Sequence, residues 1–280
     1  MLSSITPKTS GSISLKRNDR MDKQTEKRLK EWAGTYNVKS FIPDDPVQFP
    51  HRYTEKRDIE ISGFITSWIS YGRRELILRK AAWLHNRMGG SPYKWIMSGR
   101  YKELVSDVPA GKRNTFYRFY THSDLRDLCD RLNAIYREYD SLEDALAASP
   151  HPNPIVKLQD LFAGINGIPV MSGSSACKRL AMFLRWMIRT DGIVDFGIWK
   201  TAFHPRQLII PLDTHVHQIS LELGLTAQRT ATLKTALEIT DALARIFPDD
   251  PCLGDFALFG YDINKGKLTA LTGDGPNPVW

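Results

Sequence analysis

Apolar residues recur at three- and four-residue spacing along most of this chain, and that period restricts its fold more than any other feature. In "DIEISGFITSWISYG", Ile61, Ile65, Trp68 and Ile69 share one side of a helix; in "RELILRKAAWLHNRM", Leu76, Ile77, Ala81, Leu84 and Met88 do the same. Both stripes are expected to be core. "SDLRDLCDRLNAIYREY" follows Ser123 as the expected N-cap, and Ser141 with Asp144 forms the S-x-x-D capping signature before "ALAA". In "SSACKRLAMFLRWMIRTDG", Leu180, Phe183, Leu184, Met187 and Ile188 make one apolar face, while Lys178, Met182, Arg185 and Arg189 fall on another that reads as a solvated basic stripe. "TATLKTALEITDALARIF" and "GDFALFGYDI" add two amphipathic segments. No strand-and-hairpin pattern and no internal repeat recurs, so the expected class is all-α.

Breaks in this pattern set the organisation. The first 20 residues, "MLSSITPKTSGSISLKRNDR", are rich in Ser, Thr and basic residues without apolar periodicity, and residues 1–25 are expected to be a disordered basic tail. Met21 offers an alternative start, and Asp19 with the weak amphipathicity argues against a transit peptide. Pro and Gly cluster between Ser149 and Ser175, as expected of loop and turn material joining two helical parts. With 280 residues, 42% of them hydrophobic and 25% charged, residues 26–280 suffice for one large domain or two lobes around a sizeable core. No apolar run approaches the roughly 20 residues that cross a bilayer, and no secretory h-region opens the chain, so a cytoplasmic protein with no membrane partner is expected. Cys129, Cys177 and Cys252 lie far apart without a CxxC pair. That excludes a disulfide framework and a four-cysteine iron–sulfur or zinc site, and leaves three reduced, buried thiols with no cofactor indicated.

Charge is placed unevenly. Of the net +7, residues 1–30 contribute +5 and residues 175–206 contribute +4, leaving the remainder slightly acidic at −2. Basic character therefore resides in the tail and one internal segment, and the latter is the expected face for a polyanion.

Within "IIPLDTHVHQIS", Asp213 follows four nearly unbroken apolar positions and stands where a helix begins, with Val216, Ile219 and Leu223 as its buried stripe. An N-cap carboxylate there accepts orphan backbone N–H groups and is favoured by the helix dipole. His215 and His217 spell D-x-H-x-H, but residues two apart on a helix do not face each other, and no metal site is expected. Lys178 opens the basic helix. Flanked by Arg179 and Arg185, its ammonium form is expected to be disfavoured, which would make a nucleophilic amine accessible.

Taken together, "SSACKRLAMFLRWMIR", "LIIPLDTHVHQISLELGL" and "GDFALFGYDI" closely resemble an uncharacterised bacterial family, a domain of unknown function, from about Glu26 to the C-terminus. The order helix–Lys, then Pro-x-Asp-Thr-His–helix, is similar in turn to the helix-hairpin-helix DNA glycosylases of the 8-oxoguanine and endonuclease III type. Lys178 and Asp213 stand 35 positions apart, separated in part by "RTDGIVDFGIWKTAFHPRQ", and this long spacing resembles that of archaeal 8-oxoguanine DNA glycosylases. In that superfamily the lysine opening the helix after the hairpin is the nucleophile, and the aspartate of a "VDTHV"-like motif caps the next helix beside it. The resemblance thus implies a two-lobed helix-hairpin-helix glycosylase-like fold with Lys178 and Asp213 catalytic across a cleft. It further implies Ser174, Ser175, Arg179 and Arg185 as DNA contacts. The superfamily hairpin carries glycines four and two positions before the lysine; here Ser174 and Ala176 occupy them, with Gly173 nearby. Glycine there lets backbone N–H groups approach phosphate closely.

What the resemblance implies for function is a monomeric DNA repair glycosylase with AP-lyase activity. It would excise a damaged base, such as an oxidised purine, from double-stranded DNA through a lysine Schiff base. The base must first leave the stack. The alternative is a non-catalytic nucleic-acid-binding protein of the same fold. A third expectation is an α-helical protein in which Lys178 and Asp213 are only a partly buried ion pair.

Overall fold

A computed structural model describes residues 23–106, 114–170 and 173–272. The chain is mainly helical: α1 Lys23–Tyr36, α2 Lys56–Ile69, α3 Arg74–Met88, α4 Pro92–Met97, α5 Glu103–Ser106, α6 His122–Glu138, α7 Leu142–Ala148, α8 Pro154–Leu161, α9 Lys178–Ile188, α10 Thr214–Glu222, α11 Leu233–Ala244 and α12 Leu253–Thr272. The expectation for the first 20 residues lies outside the described residues. Residues 23–25, assigned to the tail, are the first turn of α1. The sequence also missed a small antiparallel pair, β1 Thr115–Tyr117 and β2 Tyr120–Thr121, which is too short for a period-two pattern to register. α6 begins two residues earlier than expected: Thr121, not Ser123, is the N-cap, and it forms a capping box with Asp124. Ser141 caps α7 as its signature predicts, accepting from the Asp144 N–H.

α2 is the central helix. Every residue from Asp58 to Ile69 is buried, so apolar contact surrounds it rather than forming one stripe. Gly63 lets α9 approach: a Cβ there would stand 3.1 Å from the Met187 methyl. Phe64 stacks on Phe162 at 4.0 Å and meets Phe183 edge-on. A buried carboxylate in this core is matched: Glu60 accepts from Trp199 Nε1 (2.6 Å), Tyr136 Oη (2.8 Å) and Leu142 N (3.0 Å), joining four segments. A second group forms where α12 packs on α1 and α10. Its seam is aromatic, with Phe41 edge-on to both Phe256 and Phe259.

The segment after α9 turns back on that helix. Phe196 N and Trp199 N donate to the carbonyls of Trp186 and Met187, satisfying the end of α9 without continuing it. All three cysteines are free and buried. Among the described residues no helix is long and apolar enough to cross a membrane.

Candidate active site

The first residue of α9 and the cap of α10 meet. Lys178 Nζ lies 3.0 Å from Asp213 Oδ2, with the two side chains about one-third exposed. Each end of this pair is placed by local backbone. Cys177, the residue before Lys178, adopts a left-handed conformation (φ +54°), so the chain turns sharply into α9. Ser175 Oγ accepts from Cys177 N, and Gln159 Nε2, also bonded to Pro169 O, reaches the Cys177 sulfur. Asp213 is extended, and its other oxygen accepts from Val216 N at 2.9 Å, as the N-cap expectation required. One carboxylate therefore both caps α10 and faces Lys178. Burial acts to raise the Asp213 carboxyl, but the Lys178 charge and the Val216 N–H outweigh it and hold the group below its usual 3.8.

The pair borders a cavity of about 270 Å³ between α9, α10 and α12, closed by the segment before α2 and the start of α3. Phe41, Met182 and Phe259 supply apolar wall; Arg74, Asp255 and Asp262 supply charge. Asp255, Phe259 and Asp262 stand at i, i+4 and i+7 on α12 and so share a face. "GDFALFGYDI" carries that spacing openly, but its apolar residues dominate the pattern, and the sequence reading did not single out its carboxylates. Burial pushes the Asp255 carboxyl up to about 6, with Arg185 opposing the shift and Asp213 adding to it.

The expected DNA contacts divide. Ser174 and Ser175 are exposed in the turn leading into α9. Arg185 is a correction: its side chain is 6% exposed and held between Asp195 and Asp255, so it presents no charge to a phosphate. Arg179 is partly exposed and, among the described residues, pairs with no carboxylate. It donates to Trp68 O (2.7 Å), Gly167 O (2.6 Å) and Tyr120 Oη, tying α2, the Gly167 turn and β2 to the start of α9. Arg189 is also internal, 2% exposed and paired with Asp191, Asp195 and Asp250. The expected basic stripe of α9 is thus largely matched by carboxylates from distant segments. The field expected from Arg179 and Arg185 on Lys178 is replaced by a direct carboxylate contact.

His215 and His217 diverge. His217 is buried with Nε2 2.7 Å from Gln228 O, whereas His215 is exposed and 3.8 Å from Asp262. Among the described residues no group of three His, Cys, Asp or Glu side chains is arranged to hold a metal ion.

The arrangement offers an amine and a carboxylate in contact, accessible from a cavity with aromatic wall and further carboxylates. A lysine acting as nucleophile would need an electrostatic partner and a place for the reacting molecule; a carboxylate and a cavity lie beside this amine. No curated protein and no solved structure matches this chain. Residues 45–264, which include both members of the pair, match the family described as "Protein of unknown function (DUF2400)", and the chain belongs to that family.

Proposed function

We propose that the protein is a DNA glycosylase with AP-lyase activity, of helix-hairpin-helix glycosylase type, its two helical packing groups serving as lobes around the cavity. The observation that carries this is the 3.0 Å contact between the amine opening α9 and the carboxylate capping α10, at the edge of a cavity. A damaged nucleotide flipped from duplex DNA enters the cavity, because C1′ is not reachable within the stack. Lys178, an ammonium beside Asp213 in the resting pair, gives one proton to the departing base: Nζ bonds to C1′ while the C1′–N bond to the base breaks, and the base leaves with the bonding pair and that proton. Asp213, ionised and fixed by its cap, stabilises the positive charge that develops at C1′. The C1′–O4′ bond then opens to give an iminium, O4′ taking the proton that Nζ releases. Loss of a C2′ proton expels the 3′-phosphate by β-elimination. Phe41 and Phe259 provide apolar contact for the extruded base, and the carboxylates of α12 provide acceptors for its N–H groups.

Borohydride trapping tests the proposal. Wild type incubated with duplexes carrying an abasic site or an oxidised purine should form a covalent complex, and Lys178→Ala should form none. Persistence of trapping in Lys178→Ala refutes the nucleophile. Failure of wild type on every lesion favours the non-catalytic nucleic-acid binder, in which the same contact is only an ion pair; Lys178→Ala would then leave DNA affinity nearly unchanged.

A further inference from the structure

With Arg185 and Arg189 paired internally and Arg179 bonded to backbone carbonyls, the segment expected to meet DNA keeps Lys200 and Arg206 as exposed cations, and a denser exposed group lies on α3. α3 carries Arg74, Arg79, Lys80 and Arg87 against Glu75 alone, with Arg73 at its N-cap. Among the described residues none of Arg79, Lys80, Arg87 and Arg118 makes an ion pair, whereas Arg73 pairs with Glu75 at 3.5 Å. Arg79, Lys80, Trp83 and Arg87 recur at three- and four-residue spacing, so they share one face of α3.

That face and the β1–β2 hairpin enclose a groove of about 440 Å³ lined by Leu76, Arg79, Lys80, Trp83, Phe116 and Arg118. Cations and rings alternate in it. Lys80 Nζ lies 4.5 Å from the Trp83 ring centre and 4.7 Å from that of Phe116; the Arg87 guanidinium lies 3.7 Å from Trp83. Arg118 occupies the hairpin turn in the left-handed region (φ +54°), where glycine is favoured, and its guanidinium sits over Tyr71 at 5.0 Å. Burial, with Arg87 and Arg79 close by, lowers the pKa of Lys80. Like charges gathered without a counter-ion cost folding free energy, and an anionic partner would recover it.

The groove and the Lys178 cavity are linked through α3 and the hairpin. Arg74, at the start of α3, lines that cavity, and a Cβ on Gly72, two residues before it, would stand 2.7 Å from an Arg118 guanidinium nitrogen. Arg179, next to Lys178, holds Tyr120 of β2. From Arg74 to Arg87 the helix rises about 20 Å, the length of about six base-pair steps.

We propose that the Arg79–Lys80–Arg87 face of α3, with Arg118 of the hairpin turn, binds the phosphate backbone of duplex DNA flanking the nucleotide that enters the Lys178 cavity. This rests on the glycosylase reading for the choice of DNA as partner. It differs from that reading in assigning the phosphate contacts to α3 and the hairpin rather than to α9.

Full-length protein should be titrated by fluorescence anisotropy with a labelled duplex containing a tetrahydrofuran abasic analogue, across a series of KCl concentrations. Each duplex phosphate contact contributes about 0.9 to the slope of log affinity against log salt. R79Q/R87Q/R118Q should therefore lower the slope by about 2 to 3, and R79K/R87K/R118K, which keeps the charges, should restore it. R206Q removes an exposed arginine that already pairs with Asp249 and should leave the slope unchanged. The single variant R87Q, at a solvent-exposed position, should lower the slope by about 1 and guards against a folding defect in the triple variant. An unchanged slope in folded R79Q/R87Q/R118Q overturns the proposal, as does wild type that does not bind the duplex. Borohydride trapping on a second duplex carrying a natural, aldehyde-forming abasic site, at saturating protein and low salt, reports the chemistry separately. A lowered slope with no trapping by wild type leaves the DNA face standing and refutes the glycosylase.

Discussion

Asp213 performs two tasks through two oxygens, and a pair of substitutions should separate them. Oδ1 accepts from Val216 N, and Oδ2 faces Lys178. Asp213→Ala removes both. Loss of an N-cap costs about 1 kcal/mol, and an ion pair this exposed contributes at most about 1 kcal/mol, so destabilisation of about 1 to 2 kcal/mol is expected. For a domain of this size that lowers the thermal midpoint by roughly 2–8 °C. Asp213→Asn keeps a capping oxygen and removes only the charge, so its midpoint should stay within about 2 °C of wild type. Base excision should fall in both, by about 100-fold or more, as when other preorganised electrostatic groups are removed. Scanning calorimetry and single-turnover excision on one lesion duplex measure the two quantities. Because the folded-state pKa is depressed, the stability from ionised Asp213 is present above about pH 3.8 and lost as pH falls through its folded value. The difference between wild type and Asp213→Ala should shrink only there. An Asn variant as unstable as Ala would refute the cap, and an Asn variant with full excision would refute the charge.

Arg189→Met leaves Asp195, 0% exposed, without one of its two arginines, and should destabilise by about 3–5 kcal/mol; a midpoint shift under 3 °C would mean the network contributes little. Glu60→Ala strands the Trp199 and Tyr136 donors and the Leu142 N–H in the core, and calorimetry should show a loss of about 3 kcal/mol or more. Asp255 titrates near pH 6 folded against 3.8 unfolded, so the folded protein holds the extra proton between those values and stability falls as pH rises from about 4 to 6. That slope should flatten in Asp255→Asn; an identical profile would mean the group titrates elsewhere.

Local periodicity accounts for how far the fold was legible. The stripes of α3, α9 and α11 announce helices because each must bury a face, and Ser141 and Asp213 mark helix starts because their side chains bond backbone three residues ahead. The β1–β2 pair fell below that signal, since a strand of two or three residues has no period to read. The cap of α6 was displaced because Thr121 and Ser123 are both capping residues, and the hairpin that ends at Thr121 decided between them.

The sequence by itself determined the all-α class and the cap at Asp213, and the resemblance it carries to the glycosylases implied Lys178 and Asp213 as a pair. These rest on interactions within one or two helical turns or on the order of motifs along the chain. Only the tertiary structure decided what surrounds the pair. Arg185 and Arg189 read as a solvated stripe because their partners, Asp195, Asp250 and Asp255, lie 6 to 70 positions away and no local pattern links them. Asp255 became a cavity residue, and α3 an outward cationic face, for the same reason. A charged side chain is hydrated until some other segment arrives, and whether a carboxylate arrives with it is settled by packing between distant elements rather than by spacing along one helix.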